Sequence, residues 1–319
     1  MNAAVLRVLG TPPHFEKFPE PIPAEGEVVV HVRAASLKPV DKQIAAGTHY
    51  ASFRELPAVC GLDGVGVLED GSRVFFAGPR RPYGAIAERT VVRRAQCFTV
   101  PEGLSDEVAA ALPNPGVSAW LTLKERAKLA PGETVLILGA TGVTGRLAVQ
   151  IAKISGAGRV IAAGRNEKAL NSLLELGADA TIQLVDKSAE ELTKDYSREA
   201  GVKGFQVVID YLWGPPTEAL LAALTRNEFA AIGSETRLVQ VGESAGAAIS
   251  LPAAVLRSAP VTILGTAGMP APEILMDALR QVLAYGASGK LRIDTERAPL
   301  ADIESAWERE GRSRLVVIP

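Results

Sequence analysis

Apolar and polar positions along this chain follow two different rhythms. Ahead of Pro113, short apolar runs at residues 3–9, 28–34, 61–68, 73–77 and 85–92 stand between breakers such as Pro19, Pro21, Pro23, Glu25-Gly26 and Asp70-Gly71. Short strands with frequent Pro and Gly predict a partly open antiparallel barrel. A loop carrying Lys38-Pro39-Val40-Asp41, a helical piece ending at Gly47 and an irregular stretch around His49 and Tyr50 interrupt it. The rhythm changes at Pro113-Asn114-Pro115-Gly116. Residues 117–126 read as helix, and after Pro131-Gly132 strands and helices alternate. The strands fall at 134–138, 159–163, 180–183, 207–210, 237–241 and 261–265, the helices at 144–154, 167–176, 189–200 and 216–224. That alternation predicts an α/β domain with a doubly wound parallel sheet. The tail reads as helix 273–284, strand 290–293, helix 300–310 and a last strand 315–318. It is expected to pack back on the first domain. Residues 1–116 with 256–319 then form one domain, and 117–255 a nucleotide-binding insertion, with the active site in the cleft between domains.

Composition narrows the functional classes. A length of 319 residues suits two domains, and 47% hydrophobic residues suit a large core. A formal charge of −2 gives no electrostatic case for nucleic acid or an anionic membrane as partner. Two cysteines, Cys60 and Cys97, are too few for a disulfide framework or a thiolate metal cluster. Neither a signal-like start nor an apolar run near 18 residues is present, so a soluble cytoplasmic protein is expected.

The chemistry concentrates at one strand–turn–helix unit. Val135-Leu136-Ile137-Leu138 is followed by Gly139-Ala140-Thr141-Gly142-Val143-Thr144-Gly145 and then by a helix. A dinucleotide pyrophosphate needs such a unit: glycines let the backbone approach the phosphates, and the helix start offers free N–H groups. The strand before it and the second strand behind it supply the context the motif requires. An acid at the end of that second strand would hold an unphosphorylated ribose. The chain instead reads Gly164-Arg165-Asn166-Glu167-Lys168. Arg165, with Asn166 and Lys168, predicts NADPH over NADH, because a guanidinium facing a phosphate makes charge-assisted hydrogen bonds of roughly 1.5–3 kcal/mol each. The competing reading is a solvated turn with ordinary helix-start charges.

Several further segments carry a family resemblance. They are Pro23-Ala24-Glu25-Gly26-Glu27-Val28, Ala34-Ala35-Ser36-Leu37-Lys38-Pro39-Val40-Asp41, Gly61-Leu62-Asp63-Gly64-Val65-Gly66, Gly84-Ala85-Ile86-Ala87-Glu88, the glycine turn and the closing Leu315-Val316-Val317-Ile318-Pro319. Together they resemble the medium-chain dehydrogenase/reductase superfamily, in its zinc-independent quinone oxidoreductase branch, over nearly the whole length. The resemblance implies a GroES-like partly open β-barrel catalytic domain, an inserted Rossmann domain, NADPH as cofactor and a homodimer through the edge of the nucleotide sheet at 261–264. A catalytic zinc would need Cys and His ligands. The loop that would offer a Cys carries Lys38, Gly61-Leu62-Asp63 stands where Gly-His-Glu would, and His14, His31 and His49 have no ligand spacing. No metal is expected. Without a Lewis acid, alcohol oxidation loses its main device, whereas a quinone or a C=C conjugated to a carbonyl accepts hydride with hydrogen-bond donors alone.

The resemblance also nominates residues. Lys38 and Asp41 lie on a cleft-lining loop, where Lys38 replaces the usual Asn; Lys38 either donates to a developing oxyanion or pairs with Asp41 in an ordinary surface salt bridge. Tyr50 or His49 faces the substrate, with Tyr83 a lesser candidate better explained by packing. Asn114 bonds the nicotinamide ribose or carboxamide, or serves as a rigid hinge. Leu212, within Tyr211-Leu212-Trp213-Gly214, covers the cofactor; Val241, Gly242 and Glu243 run under it; Gly265 and Thr266 approach the nicotinamide. Leu184 stands where a Tyr that contacts the 2′-phosphate is usual, which leaves more of that contact to Arg165. Arg312 and Arg314 either reach the phosphates or are solvated. The reading is an NADPH-dependent reductase of quinones or α,β-unsaturated carbonyls. Alternatives are a metal-free alcohol dehydrogenase, an enoyl-thioester reductase of the same fold, or a non-catalytic NADPH-binding protein.

Overall fold

The computed structural model describes residues 1–225, 235–268, 270–309, 311 and 313–319. The chain divides into two compact units, Met1–Asn114 with Leu283–Pro319, and Pro115–Val282.

The first unit is built on antiparallel strands. Along the chain come β1 (Asn2–Leu6), β2 (His14–Lys17), β3 (Glu27–Ser36), helix α1 (Pro39–Ala46), β4 (Ala58–Val59), β5 (Asp63–Val67), β6 (Arg73–Ala77), β7 (Arg89–Arg93), β8 (Cys97–Thr99) and α2 (Asp106–Ala111). Strands β2-β1-β4 form a small sheet, and β15-β16-β3-β5-β6-β8 a larger one in which β7 also pairs with β3; β15 (Thr295–Pro299) and β16 (Arg314–Ile318) come from the tail, with α10 (Ile303–Glu308) between them. The ten-residue β3 organises this unit. Its first half pairs β7, its second half pairs β5 across a register shift between Val32 and Ala34, and Ala35 and Ser36 pair β16. The core under it gathers Leu6, Val30, Val32, Phe76, Ile86, Val92, Ile303 and Trp307. The partly open barrel of short strands is the fold seen, with the tail contributing its edge.

The second unit starts within α3 (Pro113–Leu121), at Pro115, and α3 runs on into a wider turn at Thr122–Arg126. Then β9 (Thr134–Leu138), α4 (Val143–Ile154), β10 (Arg159–Gly164), α5 (Glu167–Glu175), β11 (Ala180–Gln183), α6 (Ala189–Ala200), β12 (Val207–Asp210), α7 (Pro215–Leu224), β13 (Thr236–Gln240), α8 (Ala253–Ser258), β14 (Val261–Leu264) and α9 (Pro272–Ala287) follow. The six strands are parallel, in the order β11-β10-β9-β12-β13-β14. Strands covered on both faces must be apolar throughout. Val135, Leu136, Ile137 and Leu138 of β9 are all fully buried, each contributing about 1.5–3 kcal/mol by leaving water. Helix α4 buries Leu147, Ala148, Val149, Ile151 and Ala152, and α6 opens on a Ser188/Glu191 capping box.

Two expectations change. The sequence placed the return to the first domain at residue 256, but β14 adds to β13 in parallel and the second unit runs to Val282. The tail strand expected at 290–293 lies instead at Thr295–Pro299. Arg292 folds back onto the carbonyl of Gly289, and pairing with β16 begins only at Thr295, opposite Arg314.

Candidate active site

In the second unit every nominated cofactor residue lies at or follows the carboxyl end of a strand. In an open parallel sheet, ligands bind beyond those ends where the strand order reverses, which here is between β9 and β12. The turn after β9 leaves the sheet at Gly139, whose φ of +81° suits glycine. The N–H groups of Gly139 and Ala140 both donate to Ala163 O at 2.9 Å, which holds the turn against β10. Ala140 is fully buried. Gly145 lets α4 approach this turn: an added Cβ would sit 2.3 Å from Gly139 O. Thr141 packs on Gly164, where an added Cβ would lie 2.6 Å from its methyl carbon. Gly142 differs, being exposed, with only Gly139 O at 3.5 Å near a would-be Cβ. It is the N-cap of α4, and no side chain caps that end. Val143 and Thr144, half-buried, open the helix with N–H groups that no side chain among the described residues has claimed. The residues fit a pyrophosphate.

After β10, Arg165 and Lys168 are exposed, and neither has an ion-pair or hydrogen-bond partner among the described residues. No acid stands at the strand end. The Asn166 side chain is engaged elsewhere, its Oδ1 accepting the Ala169 N–H at 2.8 Å as the N-cap of α5. Expected to contact cofactor, it is committed to the helix because the first-turn amides lack other acceptors. Leu184, half-buried, packs on the sheet core and donates its N–H to Gly164 O.

Sequence reading missed the organiser of the far side. Asp210, the fully buried last residue of β12, accepts the N–H groups of Leu212 at 2.8 Å and Trp213 at 2.9 Å, and the Thr217 hydroxyl at 2.5 Å. Burial nevertheless pushes its carboxyl pKa up, against the pull of those donors. Its own carbonyl receives Val241 N–H and Gly242 N–H, so the loops carrying Leu212, Val241, Gly242 and Glu243 are tied together. An Asp closing a buried strand before a turn was the available signal. Gly265 and Thr266 are exposed after β14, and Arg126 holds the next residue by its carbonyl, Ala267 O. Asn114 is exposed in the first turn of α3.

The first unit treats its nominated cation in the opposite way. Lys38, delivered by the end of β3, is 1% exposed. Its Nζ lies 2.9 Å from Asp63 Oδ1, 3.0 Å from Ser36 O, 3.2 Å from Asp41 Oδ2 and 3.3 Å from Ser36 Oγ. Asp41 also accepts the Lys38 N–H at 2.9 Å and the Leu62 N–H at 3.2 Å. Burial works against the ammonium, but the two carboxylates outweigh it and raise the Lys38 pKa. A second buried cation, Arg314, interacts with the same carboxylates and donates to Leu37 O at 3.1 Å. The alternative pairing of Lys38 with Asp41 is thus present, buried rather than at the surface. The ammonium is buried and engaged by these oxygens. These residues do not fit a zinc ion either: the oxygens are taken by an ammonium, and among the described residues no three His, Cys, Asp or Glu side chains converge.

His49 and Tyr50 diverge. Tyr50 is 97% exposed, while half-buried His49 accepts the Ala51 N–H at its Nδ1, 3.1 Å away. A neutral imidazole so engaged carries its proton on Nε2. The two rings lie in contact, 4.0 Å between centroids and tilted by 35°. Tyr83 packs edge-on to Phe18 and donates to Glu20 O, as packing predicts. A cavity of about 350 Å³ opens beside this loop, lined by Tyr50, Phe53, Arg54, Glu55 and Arg81 among others. Arg312, and Glu310 at the end of the expected last helix, lie outside the described residues.

Comparison with known proteins gives a consistent set of likenesses. The zinc-binding dehydrogenase family model matches residues 143–282. A probable NADPH-dependent quinone reductase, tdiC, of Emericella nidulans is 27% identical over the full length of both chains. The 2-methylene-furan-3-one reductase of Solanum lycopersicum is 34% identical over 53% of this chain and 47% of its own. The quinone oxidoreductase of Thermus thermophilus, whose crystal structures include its complex with NADPH, is 30% identical with full coverage of both chains and a TM-score of 0.80.

Proposed function

The chain belongs to the quinone oxidoreductase-like family of the medium-chain dehydrogenase/reductases and is an NADPH-dependent oxidoreductase; on that premise we propose that it reduces quinones and, as a second class, α,β-unsaturated carbonyl compounds, without a metal. One observation supports the metal-free reading: on the loop where the resemblance would place a zinc-ligating Cys, the Lys38 ammonium is buried and held by Asp63, Asp41 and Ser36. The acceptor must then be one that is already activated. A quinone or enone spreads the incoming charge onto oxygen, so positioned donors suffice. The Solanum relative's name supports the enone class.

When bound, NADPH supplies the hydride. The helix start at Gly142, Val143 and Thr144 would hold its pyrophosphate on the turn that Ala140, Thr141 and Gly145 shape, and Arg165 and Lys168 would hold its 2′-phosphate. Leu212, Val241, Gly242, Glu243, Gly265 and Thr266 would border it, and the Asn114 amide would orient the nicotinamide end. Tyr50 and the Nε2–H of His49 are the donors for the developing oxyanion, with solvent as the other proton source. Lys38 and Asp41 are positioning residues: they fix the turn after β3 and the Leu62 backbone. The edge of β14, unpaired among the described residues at the end of the six-stranded sheet, supports a homodimer through that strand.

Steady-state and pre-steady-state NADPH oxidation against quinones, enones, enals and acyl thioesters tests the reading, before and after dialysis against a chelator. Quinones or enones are expected to be turned over with no chelator effect. Tight NADPH binding with no turnover of any acceptor would leave only a sensing role, and loss of turnover on chelation would end the metal-free assignment.

A further inference from the structure

The cavity beside the His49–Pro57 loop has an unusual charge arrangement. Arg54 and Arg81 both line it, with Glu55 the one acidic residue of the lining among the described residues. Arg81 is fixed in place: it donates to Ala51 O, and its guanidinium carbon lies 4.3 Å from the centroid of the Phe53 ring. Arg54 is exposed. Among the described residues neither guanidinium has a carboxylate partner, nor does Glu55 pair with a cation. Nearby arginines are treated differently: Arg80 lies 3.4 Å from Glu27, and Arg89 lies 2.8 Å from Glu20. The two cavity arginines also repel each other, since the Arg81 pKa is lowered first by burial and then by Arg54. Like charges left unbalanced at the mouth of a concave site favour an anion there. The volume falls within the usual range for a small-molecule site, roughly 300–1,000 Å³.

We propose that this cavity receives the electron acceptor and selects acceptors that carry an anionic group, a carboxylate, sulfonate or phosphate ester, held by Arg54 and Arg81 with the conjugated part against Tyr50 and Phe53. Guanidinium pairs recognise such oxygens through planar, charge-assisted hydrogen bonds. This rests on the reductase reading above and names the substrate class for it. It does not follow from the cofactor site, which is built from other residues.

A matched pair of probes tests it: 1,4-naphthoquinone and 1,4-naphthoquinone-2-sulfonate, assayed with wild-type protein and with Arg54→Ala, Arg81→Ala and Arg54→Lys. Expected is at least a tenfold rise in the ratio of sulfonate KM to neutral KM in each alanine variant, with most of the preference kept in Arg54→Lys. Both arginines are exposed, and thermal melts verify that each variant folds. An unchanged ratio in both alanine variants would overturn the proposal. Titration calorimetry with 2-naphthalenesulfonate, which cannot be reduced, separates it from the catalytic reading. Binding by wild type and at least tenfold weaker binding by the Arg54→Ala/Arg81→Ala double variant support the pocket even if neither quinone turns over. Absence of binding by wild type, or equal binding by the double variant, refutes it.

Discussion

Two cations singled out by the sequence meet opposite fates. Arg165 follows β10 in the nucleotide unit, exposed and without a partner among the described residues. Lys38 follows β3 in the first unit, 1% exposed and within 3.3 Å of oxygens from Ser36, Asp41 and Asp63. A cation kept free by its surroundings is open to a ligand. A cation that neutralises two buried carboxylates is already committed to the fold. Sequence type alone does not separate these cases, because both residues are basic and both follow a strand. The partner supplied by a distant strand does, and Asp63 lies 25 positions away from Lys38.

The largest effect should come from breaking the buried side of this contrast. Lys38→Met takes from Asp41 and Asp63 the ammonium they contact, leaving Arg314 as the remaining buried cation, and removing one partner of a buried pair costs about 3–5 kcal/mol. Chemical denaturation should show that loss. The sign with pH follows from the raised Lys38 pKa. An ammonium whose folded pKa lies above its unfolded value, about 10.4, contributes its full stability below that value and loses it as pH rises through the folded pKa. The gap between wild type and variant should therefore persist up to about pH 9 and close in strong alkali; it should also narrow toward acid, because burial raises the Asp41 carboxyl pKa and protonation relieves a carboxylate that has lost its ammonium. A gap under about 1 kcal/mol, the range of an exposed pair, would mean the ammonium is not held as described.

The nucleotide unit was legible because its signals are local. Strands β9, β11 and β12 and helix α6 fall where the apolar pattern puts them, to the residue. The central strands are buried on both faces, and the helices that cover them each turn an apolar face inward. The first unit gives weaker signals. Strands β2, β4 and β8 are four, two and three residues long, too short for a period to register. Helix α2, Asp106-Glu107-Val108-Ala109-Ala110-Ala111, is set by its Ser105 cap and by burial of its alanines rather than by a wide apolar stripe. Strand β15 buries only Ala298, so Thr295-Glu296-Arg297 reads as surface chain until β16 pairs with it. The same difference governs the sites. Gly139–Gly145 is one contiguous segment, whereas the Lys38 cage needs residues 36, 38, 41 and 63 brought together by tertiary pairing.

Two glycines of that contiguous segment sharpen the point. Gly145→Ala places a Cβ 2.3 Å from Gly139 O, so the helix must shift, at a cost of about 1–3 kcal/mol. Gly142→Ala meets only Gly139 O at 3.5 Å, with an ordinary φ of −75°. It should melt like wild type and still lose NADPH affinity, because the methyl projects where the phosphates must approach backbone. Calorimetric NADPH titration beside thermal melts reads both. Similar melting losses in the two variants would show that Gly142, too, is there for packing.

Arg165→Ala comes next in size. If its guanidinium binds the 2′-phosphate, the ratio of kcat/KM for NADPH to that for NADH should fall at least tenfold, about 1.4 kcal/mol. Equal losses with both cofactors would assign Arg165 to something other than phosphate recognition.

The smallest effect separates Arg165 from its neighbour. Asn166 stands one residue on, and its Oδ1 caps α5 through the Ala169 N–H. Replacing a capping Asn by Ala costs about 1 kcal/mol of stability. Asn166→Ala should lower the unfolding free energy by that amount and leave the NADPH-to-NADH preference where it was, since the preference rides on charge and Asn166 carries none. A fall in preference with no fall in stability would show that the amide gives up its helix contact to reach the ribose phosphate, and the division between committed and free side chains would then fail within a single turn of chain.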